Sequence, residues 1–569
     1  MSDEKKSVHA LREEEILSYW DKNQCFEKSV ENRPMGNSYV FYDGPPFATG
    51  LPHYGHIVGS VMKDVVPRFW TMKGRRVERI WGWDCHGLPI ENIVEKEKNL
   101  GSRKDIENYG IAEFNETCRT KVLAYAAEWQ KIIHRLGRWV DMDNAYKTMD
   151  FKFMESIWWV FKSLWDKGLI YEGRKPMHIC PRCETVLSNF EVTQAYKDVS
   201  DISVYVKMPL LDGEYAGVNL VIWTTTPWTL PGNELIAVGK NMRYALAELN
   251  GERYILLEDK VQDLLPDAVV KTTLSGSDLI GAKYKPLFET FANTENAFRV
   301  VAADFVSDEE GTGAVHIAPG FGEDDMNVGV AEGVKPIIHV KMNGLFTDDI
   351  LKELSKKGCE VQGVPVRQKD NPLAVDIEII KLLDREGRLL TKEKVKHSYP
   401  HCWRCDTPLL NYSTSSWFVK VTEVKDRMIQ TNKEINWVPD HIKEGRFGKW
   451  LEGARDWAIS RSRFWGTPLP IWKSDDGDII CVGSSAELEE LSGKKVDDLH
   501  KHVIDEIVIE KDGKVYKRID EVLDCWFESG SMPYAQLHYP FENKEKFDHG
   551  FPAEFIAEGQ DQTRGWFYT

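Results

Sequence analysis

The sequence predicts an α/β protein whose parallel sheet is interrupted by a long, mostly β insertion. Three observations carry this reading. Residues 38–83 alternate strand, helix and strand; the texture after Cys183 becomes short, turn-punctuated and β-rich; and a helix–strand mixture returns from Arg446. At roughly 100–200 residues per domain, 569 residues require several domains rather than one core.

Tyr39-Val40-Phe41-Tyr42 is a β-branched and aromatic run that ends at the breakers Asp43-Gly44-Pro45-Pro46. From His53, apolar Ile57, Val61, Val65 and Phe69 recur at every fourth position, with Val58 and Met62 beside them, which predicts a helix with one core face. Pro67 should kink its last turns and Gly74 should stop it. Val77 to Trp83 reads as a second buried strand, completing a βαβ unit of the kind that builds parallel sheets. Ala112 to Gly137 and Phe151 to Gly168 are expected to be helices with aromatic-rich faces. Ile202-Ser-Val-Tyr-Val206 and Tyr254-Ile-Leu-Leu257 are strand-like, so about 190–395 should form a separate β module. Asp475-Asp-Gly-Asp478 between two β-prone runs predicts a hairpin.

Composition limits the function classes. The net charge is −17, from 73 Lys+Arg against 90 Asp+Glu, which argues against a general nucleic-acid coat but not against a specific partner. With 20 Trp, 20 Tyr and 24 Phe the chain can bury far more than a disordered one. The chargeless stretches at 44–62 and 215–233 are broken by Gly and Pro, so no membrane association is expected. Met1 to Trp20 is rich in Glu and Lys and lacks the apolar core of a secretory signal. Ten cysteines are too sparse for a disulfide scaffold, and a reducing, cytoplasmic compartment is expected.

Several motifs carry chemistry. His53-Tyr-Gly-His56 stands where a strand–loop–helix unit would expose free N–H groups, a setting in which two imidazoles can donate to phosphate oxygens. Gly55 lets a flat ligand approach the backbone without a Cβ in the way. Cys180-Pro-Arg-Cys183 and Cys402-Trp-Arg-Cys405 are two pairs whose spacing lets four thiolates close a tetrahedral zinc site. His401 is an alternative ligand, ranked below the thiols. The whole expected β module lies between Cys183 and Cys402, so it must leave and return close together, as an inserted domain does. Trp223-Thr-Thr-Thr-Pro-Trp-Thr229 alone reads as a β edge ended by proline.

Pro45-Pro-Phe-Ala-Thr-Gly50 followed by His53-Tyr-Gly-His56 resembles the first signature of the class I aminoacyl-tRNA synthetases. Gly82-Trp-Asp-Cys-His-Gly-Leu-Pro-Ile-Glu91 resembles the isoleucyl branch, since leucyl relatives usually place Phe where His86 stands. The resemblance runs from about residue 15 to the end. It implies a Rossmann-like catalytic domain split by an editing insertion with a zinc-binding base. The expected boundaries are a helical extension at 1–40, a first catalytic half with the first zinc pair at 41–189, an editing domain at 190–395, and the second zinc pair with an incomplete second catalytic half at 396–569.

The resemblance also implies roles. His53 and His56 would be catalytic, and Asp84 would hold the amino acid's α-amino group. Pro46, Glu558, Gly559, Asp561 and Gln562 would contact amino acid or adenylate, and Trp526 and Trp566 would wall the side-chain pocket. In the insertion, Thr224, Thr225, Thr226, His316 and Asp325 resemble a hydrolytic editing site, with Asp324 an open alternative to Asp325. Many relatives have His where Phe321 stands. The Asp456 to Gly466 run resembles a segment that packs beside the catalytic fold. The implied activity is ATP- and Mg²⁺-dependent isoleucine activation and transfer to tRNA(Ile), with hydrolysis of mis-activated valine, by a zinc-bearing monomer. The family's second signature, a Lys-Met-Ser-Lys-Ser-like loop, does not occur in the sequence, nor does the anticodon-binding helical domain, so impaired activation is expected. The alternatives are a tRNA-binding paralogue without activation chemistry, or an editing-only aminoacyl-tRNA hydrolase.

Overall fold

The computed structural model describes residues 6–47 and 49–569. Residues 1–5 of the expected extension and Ala48 of the first signature lie outside the described residues. The chain divides into two compact units, one made of Met1–Tyr171 and Trp417–Thr569, the other of Glu172–Ser416. The second unit thus begins before and ends after the expected 190–395, and all four paired cysteines belong to it.

In the first unit, helices Val8–Asn23 and Cys25–Glu31 precede the sheet. The sheet is built from β1 (Phe41–Tyr42), β2 (Ile80–Trp83), β3 (Asp141–Lys147) and β4 (Phe555–Ile556). β1 runs parallel to β4, and β2 runs parallel to β3. Isolated parallel bridges, Ser38 with Arg76 and Phe47 with Asp84, join the two ladders into the order β3–β2–β1–β4. The order reverses at β1, so the crevice beyond the carboxyl ends of β1 and β4 is where an open sheet of this kind receives ligands.

Helix α1 (Tyr54–Met72) links β1 to β2, with Pro67 inside it. Its orientation corrects the sequence reading. Ser60, Lys63, Pro67 and Thr71 are the buried positions, whereas Val58, Val61, Met62, Val65 and Phe69 are exposed. Periodicity detects a stripe but not the direction it faces. Here the polar stripe turns inward because Lys63 meets two buried carboxylates, and because Thr71 Oγ donates to Pro67 O at 2.8 Å and accepts from Arg79 at 2.8 Å.

The expected helix Ala112–Gly137 is two helices, Ile111–Lys121 and Ala126–Arg135, separated by a turn. Phe151–Asp166 forms as one helix with a fully buried aromatic face that includes Trp158 and Phe161. Around Asp475–Asp478, strands Ile471–Ser474 and Ile479–Cys481 pair antiparallel, and Gly477 takes a φ of 89° that suits a residue lacking Cβ.

The second unit is built on a nine-stranded sheet. Helices Glu323–Ala331, Asp348–Lys356 and Ala374–Arg385 accompany it. The threonine-bearing strand Asn219–Thr224 is interior rather than an edge. It pairs with Tyr196–Pro209, Glu252–Leu257 and Ala314–Ile317. Pro227 causes no conflict because it lies past the strand's end, in the 3₁₀ turn Pro227–Gly232.

Candidate active site

The carboxyl ends of the parallel strands assemble the first site. After β1, His53 caps α1, and its Nδ1 accepts from Gly55 N at 3.1 Å. His56 Nδ1 accepts from His53 N at 3.2 Å, and the two rings stack with centroids 3.8 Å apart. Both Nδ1 atoms are therefore acceptors, which places each ring proton on Nε2 and leaves two N–H donors at a helix N-terminus. Burial, then the neighbouring His53, lowers the His56 pKa to about 4, so the ring is neutral at pH 7. Trp129 packs 4.8 Å from His56 and donates to Gly50 O at 2.7 Å, bracing the loop.

Asp84 directly follows β2 and is 2% exposed. Its Oδ1 has no hydrogen-bond partner among the described residues. Burial, followed by the charges of Glu528 and Asp524, pushes its pKa well above the usual carboxylate range. A buried carboxylate oxygen left open is costly unless a ligand cation completes it.

Glu91 and Glu95, on helix Leu88–Lys98, hold the segment around Trp465 in place. Glu91 accepts from Trp465 N at 2.6 Å and pairs with Arg463, which also reaches Glu95 at 2.5 Å. Trp465 Nε1 in turn donates to Cys85 O at 2.7 Å. The 456–466 segment thereby buttresses the loop that carries Asp84.

Past β4, Glu558 Oε1 accepts from Gly44 N at 3.1 Å and from Lys63 Nζ at 2.6 Å. Lys63 also donates to Asp43 at 2.7 Å, and Arg138 pairs with Asp43. Burial alone would lower the Lys63 pKa, but Asp43 and Glu558 more than offset it and hold it above the ordinary value. A Cβ on Gly44 would lie 2.9 Å from both Glu558 and Trp566, so this close approach requires glycine. Gln562 accepts from Trp566 N at 3.1 Å and donates to Asp561 at 2.9 Å. Gly559 and Asp561 are exposed, while Pro46, Trp526 and Trp566 are half-buried, an environment open to a ligand rather than a sealed core.

In the second unit, the hydroxyls of Thr224 and Thr226 lie 3.3 Å apart, those of Thr226 and Thr229 3.2 Å apart, and Thr225 is half-buried. His316 Nδ1 accepts from Asn233 at 2.8 Å, and its Nε2 donates to Thr229 Oγ at 3.0 Å. Burial lowers its pKa to about 3. Both ring nitrogens are occupied within the protein, so His316 reaches any ligand only through Thr229. Asp325 turns inward and accepts from Ala318 N at 2.8 Å, whereas Asp324 is exposed. Burial raises the Asp325 pKa to about 7. Phe321 packs edge-on against Trp228 and His339, an apolar role in place of a polar one.

The sulfurs of Cys180, Cys183, Cys402 and Cys405 lie within 4.8 Å of one another. Four thiolates about 2.3 Å from a zinc ion would have edges of roughly 3.8 Å, so the set fits with little adjustment. His401 Nδ1 is instead turned to Tyr399 O at 3.0 Å.

Sequence reading missed Asp43, Lys63, Thr229 and Asn233 as site members. Lys63 had a signal, because Ser60, Lys63, Pro67 and Thr71 share one helical face.

The sequence profile of the tRNA synthetases class I (I, L, M and V) matches residues 15–569. An isoleucine–tRNA ligase of Treponema denticola is 51% identical over 98% of this chain and 53% of its own length. One from Chlamydia pneumoniae is 52% identical over 99% of this chain and likewise 53% of its own length. The chain thus spans about half the length of the curated relatives it matches. A solved ternary complex, Agrobacterium radiobacter K84 agnB2 LeuRS-tRNA-LeuAMS, aligns over 98% of this chain and 64% of its own at 16% identity and a TM-score of 0.40. No described helix is long and apolar enough to cross a membrane. A profile match across nearly the whole chain, with relatives at half identity, shows that the chain belongs to the class I tRNA synthetases.

Proposed function

We propose that this chain carries the activation and editing sites of an isoleucine–tRNA ligase. In the first unit, isoleucine's carboxylate would attack the α-phosphorus of ATP, giving isoleucyl-adenylate and pyrophosphate, and the acyl group would then pass to tRNA(Ile). The observation that carries this reading is the open, buried oxygen of Asp84 at the carboxyl end of β2, a partner for an α-ammonium. No enzyme nucleophile is required, so catalysis rests on alignment and on stabilising charge that builds on phosphate. The Nε2–H groups of His53 and His56 suit the second task, and Mg²⁺ would supply further neutralisation of the phosphates. Glu558, tied to Lys63 and Gly44, would shape the adenylate pocket with Gly559, Asp561 and Gln562. Pro46, Trp526 and Trp566 would bound the side chain.

The second unit would answer a limit on discrimination. One methylene is worth only about 1–3 kcal/mol in an apolar pocket, a limit for which isoleucine against valine is the standard illustration. A smaller hydrolytic site formed by Thr224, Thr225, Thr226 and Asp325, braced by His316, would admit valyl products. Cys180, Cys183, Cys402 and Cys405 would hold a structural zinc, with no open coordination position and no part in the chemistry.

Binding of non-hydrolysable aminoacyl-adenylate analogues to this chain, measured by calorimetry, tests the assignment. The isoleucyl analogue should bind more tightly than the valyl, and both far more tightly than the leucyl. Equal affinity for all three would overturn it.

A further inference from the structure

Beside Asp84 the first unit contains a chain of four groups, three of them buried and the fourth, Asp498, part-exposed, that the activation site does not use directly. His86 Nδ1 lies 2.5 Å from Glu528 Oε2, and His86 Nε2 lies 3.0 Å from His500 Nε2. His500 Nδ1 lies 2.5 Å from Asp498, which also pairs with Arg119 at 2.6 Å. His86, His500 and Glu528 are wholly buried, and Trp465 stacks on His500 at 4.6 Å.

The hydrogen count decides the charge. Two imidazoles facing each other and flanked by two carboxylates make three hydrogen bonds, so the two rings together need three protons. With both carboxylates ionised and so acceptors only, a neutral pair supplies two protons for three hydrogen bonds, and the third makes one ring cationic. Both rings are buried, but the Arg119 guanidinium lies 3.2 Å from Nδ1 of His500 and no such cation lies beside His86 among the described residues, so the cation is not His500. Burial lowers the His500 pKa to about 4 even with Asp498 beside it. A neutral His500 that donates to Asp498 through Nδ1 leaves its Nε2 as the acceptor. His86 then donates from both nitrogens, to Glu528 and to His500.

We propose that His86 is a fixed imidazolium that neutralises Glu528, and that His500 is the positioning residue that keeps it protonated. The consequence falls on Asp84. Of the carboxylates around it, Asp524 is already compensated by Arg461 at 2.5 Å. Asp150 is the remaining carboxylate acting on His86. Glu528, whose second oxygen accepts from Thr467 N at 2.9 Å, has His86 as its one cationic partner among the described residues. With His86 charged, the negative charge of Glu528 is offset and no longer opposes ionisation of Asp84, which becomes the anion left uncompensated for an incoming ammonium. Asp498, His500 and Arg119 would thus govern the amino-acid anchor without touching the amino acid. This deepens the activation reading, and depends on it only for the identity of the ligand.

The test uses the whole chain with ¹⁵N-histidine and ¹³C-aspartate labels. At pH 7 both nitrogens of His86 should give protonated, imidazolium-type resonances, while His500 shows one protonated nitrogen. In His500→Leu, which removes the acceptor and fills the space, His86 should become a neutral ring and the Asp84 ¹³Cγ titration should move up by about one pH unit. His500→Gln, whose amide oxygen can accept from Nε2–H, should restore both signals. A neutral His86 ring in the unaltered protein overturns the proposal, as does an Asp84 titration that stays put in His500→Leu while His86 changes. Calorimetric titration with isoleucine separates the two readings. If the spectra behave as expected but isoleucine does not bind, the activation assignment fails and the imidazolium stands. If isoleucine binds, His500→Leu should weaken it about tenfold and His500→Gln less than twofold.

Discussion

His56 illustrates how one backbone hydrogen bond decides what a side chain can do. Because Nδ1 accepts from His53 N, Nε2–H is the only group the ring can present outward. His56→Ala should slow adenylate formation by on the order of a hundredfold, the usual cost of losing one preorganised donor. It should leave the thermal unfolding midpoint nearly unchanged, because the ring is only half-buried. Single-turnover measurement of isoleucyl-adenylate on this chain reads the effect, and an unchanged rate removes His56 from the mechanism. Asp325 adds a pH dependence. Burial raises its pKa to about 7, and only the ionised form can hold an ammonium. Hydrolysis of valyl-tRNA should therefore rise with pH through about 7, and Asp325→Ala should abolish it. Clearance by that variant at the normal rate would refute the anchor role.

At the scale of elements, α1 and the residue just ahead of the strand Leu235–Val238 both put a titratable group where an apolar one would be expected. On α1 the charge is matched, since Lys63 ties Asp43 after β1 to Glu558 after β4 and so locks together residues far apart in sequence. Ahead of Leu235–Val238 the match is incomplete. Glu234 Oε1 accepts from Ile337 N at 2.8 Å, but Oε2 has no partner among the described residues. Burial raises the Glu234 pKa from 4.5 to about 8. The folded state therefore retains a proton that the unfolded chain releases, and the sign follows. The protein loses stability as pH rises from about 4.5 through about 8, by at most a few kcal/mol on the order expected for such a shift. Glu234→Gln keeps the oxygen that accepts from Ile337 and removes the titration. Urea unfolding at pH 5 and pH 8 should show the wild-type decline flattened in the variant. Parallel declines in both proteins would assign the pH dependence elsewhere.

At the scale of the whole molecule, one polypeptide crosses between its two compact units at Tyr171–Glu172 and at Ser416–Trp417. The cysteine pairs lie close to these crossings in sequence, and both pairs belong to the inserted unit. A zinc ion there would close a loop that contains nearly all of that unit, the arrangement in which a cross-link most restricts the unfolded chain. Cys180→Ser should lose close to one equivalent of zinc by metal analysis, and the inserted unit should unfold at lower urea. Full retention of zinc would exclude the four-thiolate site.

How much of this was legible follows from the range of each interaction. The βαβ unit, the hairpin at Gly477 and the two cysteine pairs were readable because turn chemistry and ligand spacing act over a few residues. The direction of α1's apolar stripe was not, because its inward face is chosen by Asp43 and Glu558, and the latter lies 495 residues from Lys63. The break near residues 122–125 in the expected helix Ala112–Gly137 also escaped, since that stretch contains no proline or glycine to mark it. For the site, local motifs identified His53, His56, Asp84 and Asp325 as candidates. Only the folded chain showed which nitrogen His56 presents, that His316 is occupied on both sides, and that Asp84 keeps an open oxygen. The sequence by itself determined the residue types able to carry the chemistry, since these are set by side-chain identity and short spacing. The tertiary structure decided their protonation, partners and exposure, because burial and charge act through space between residues the chain holds hundreds of positions apart.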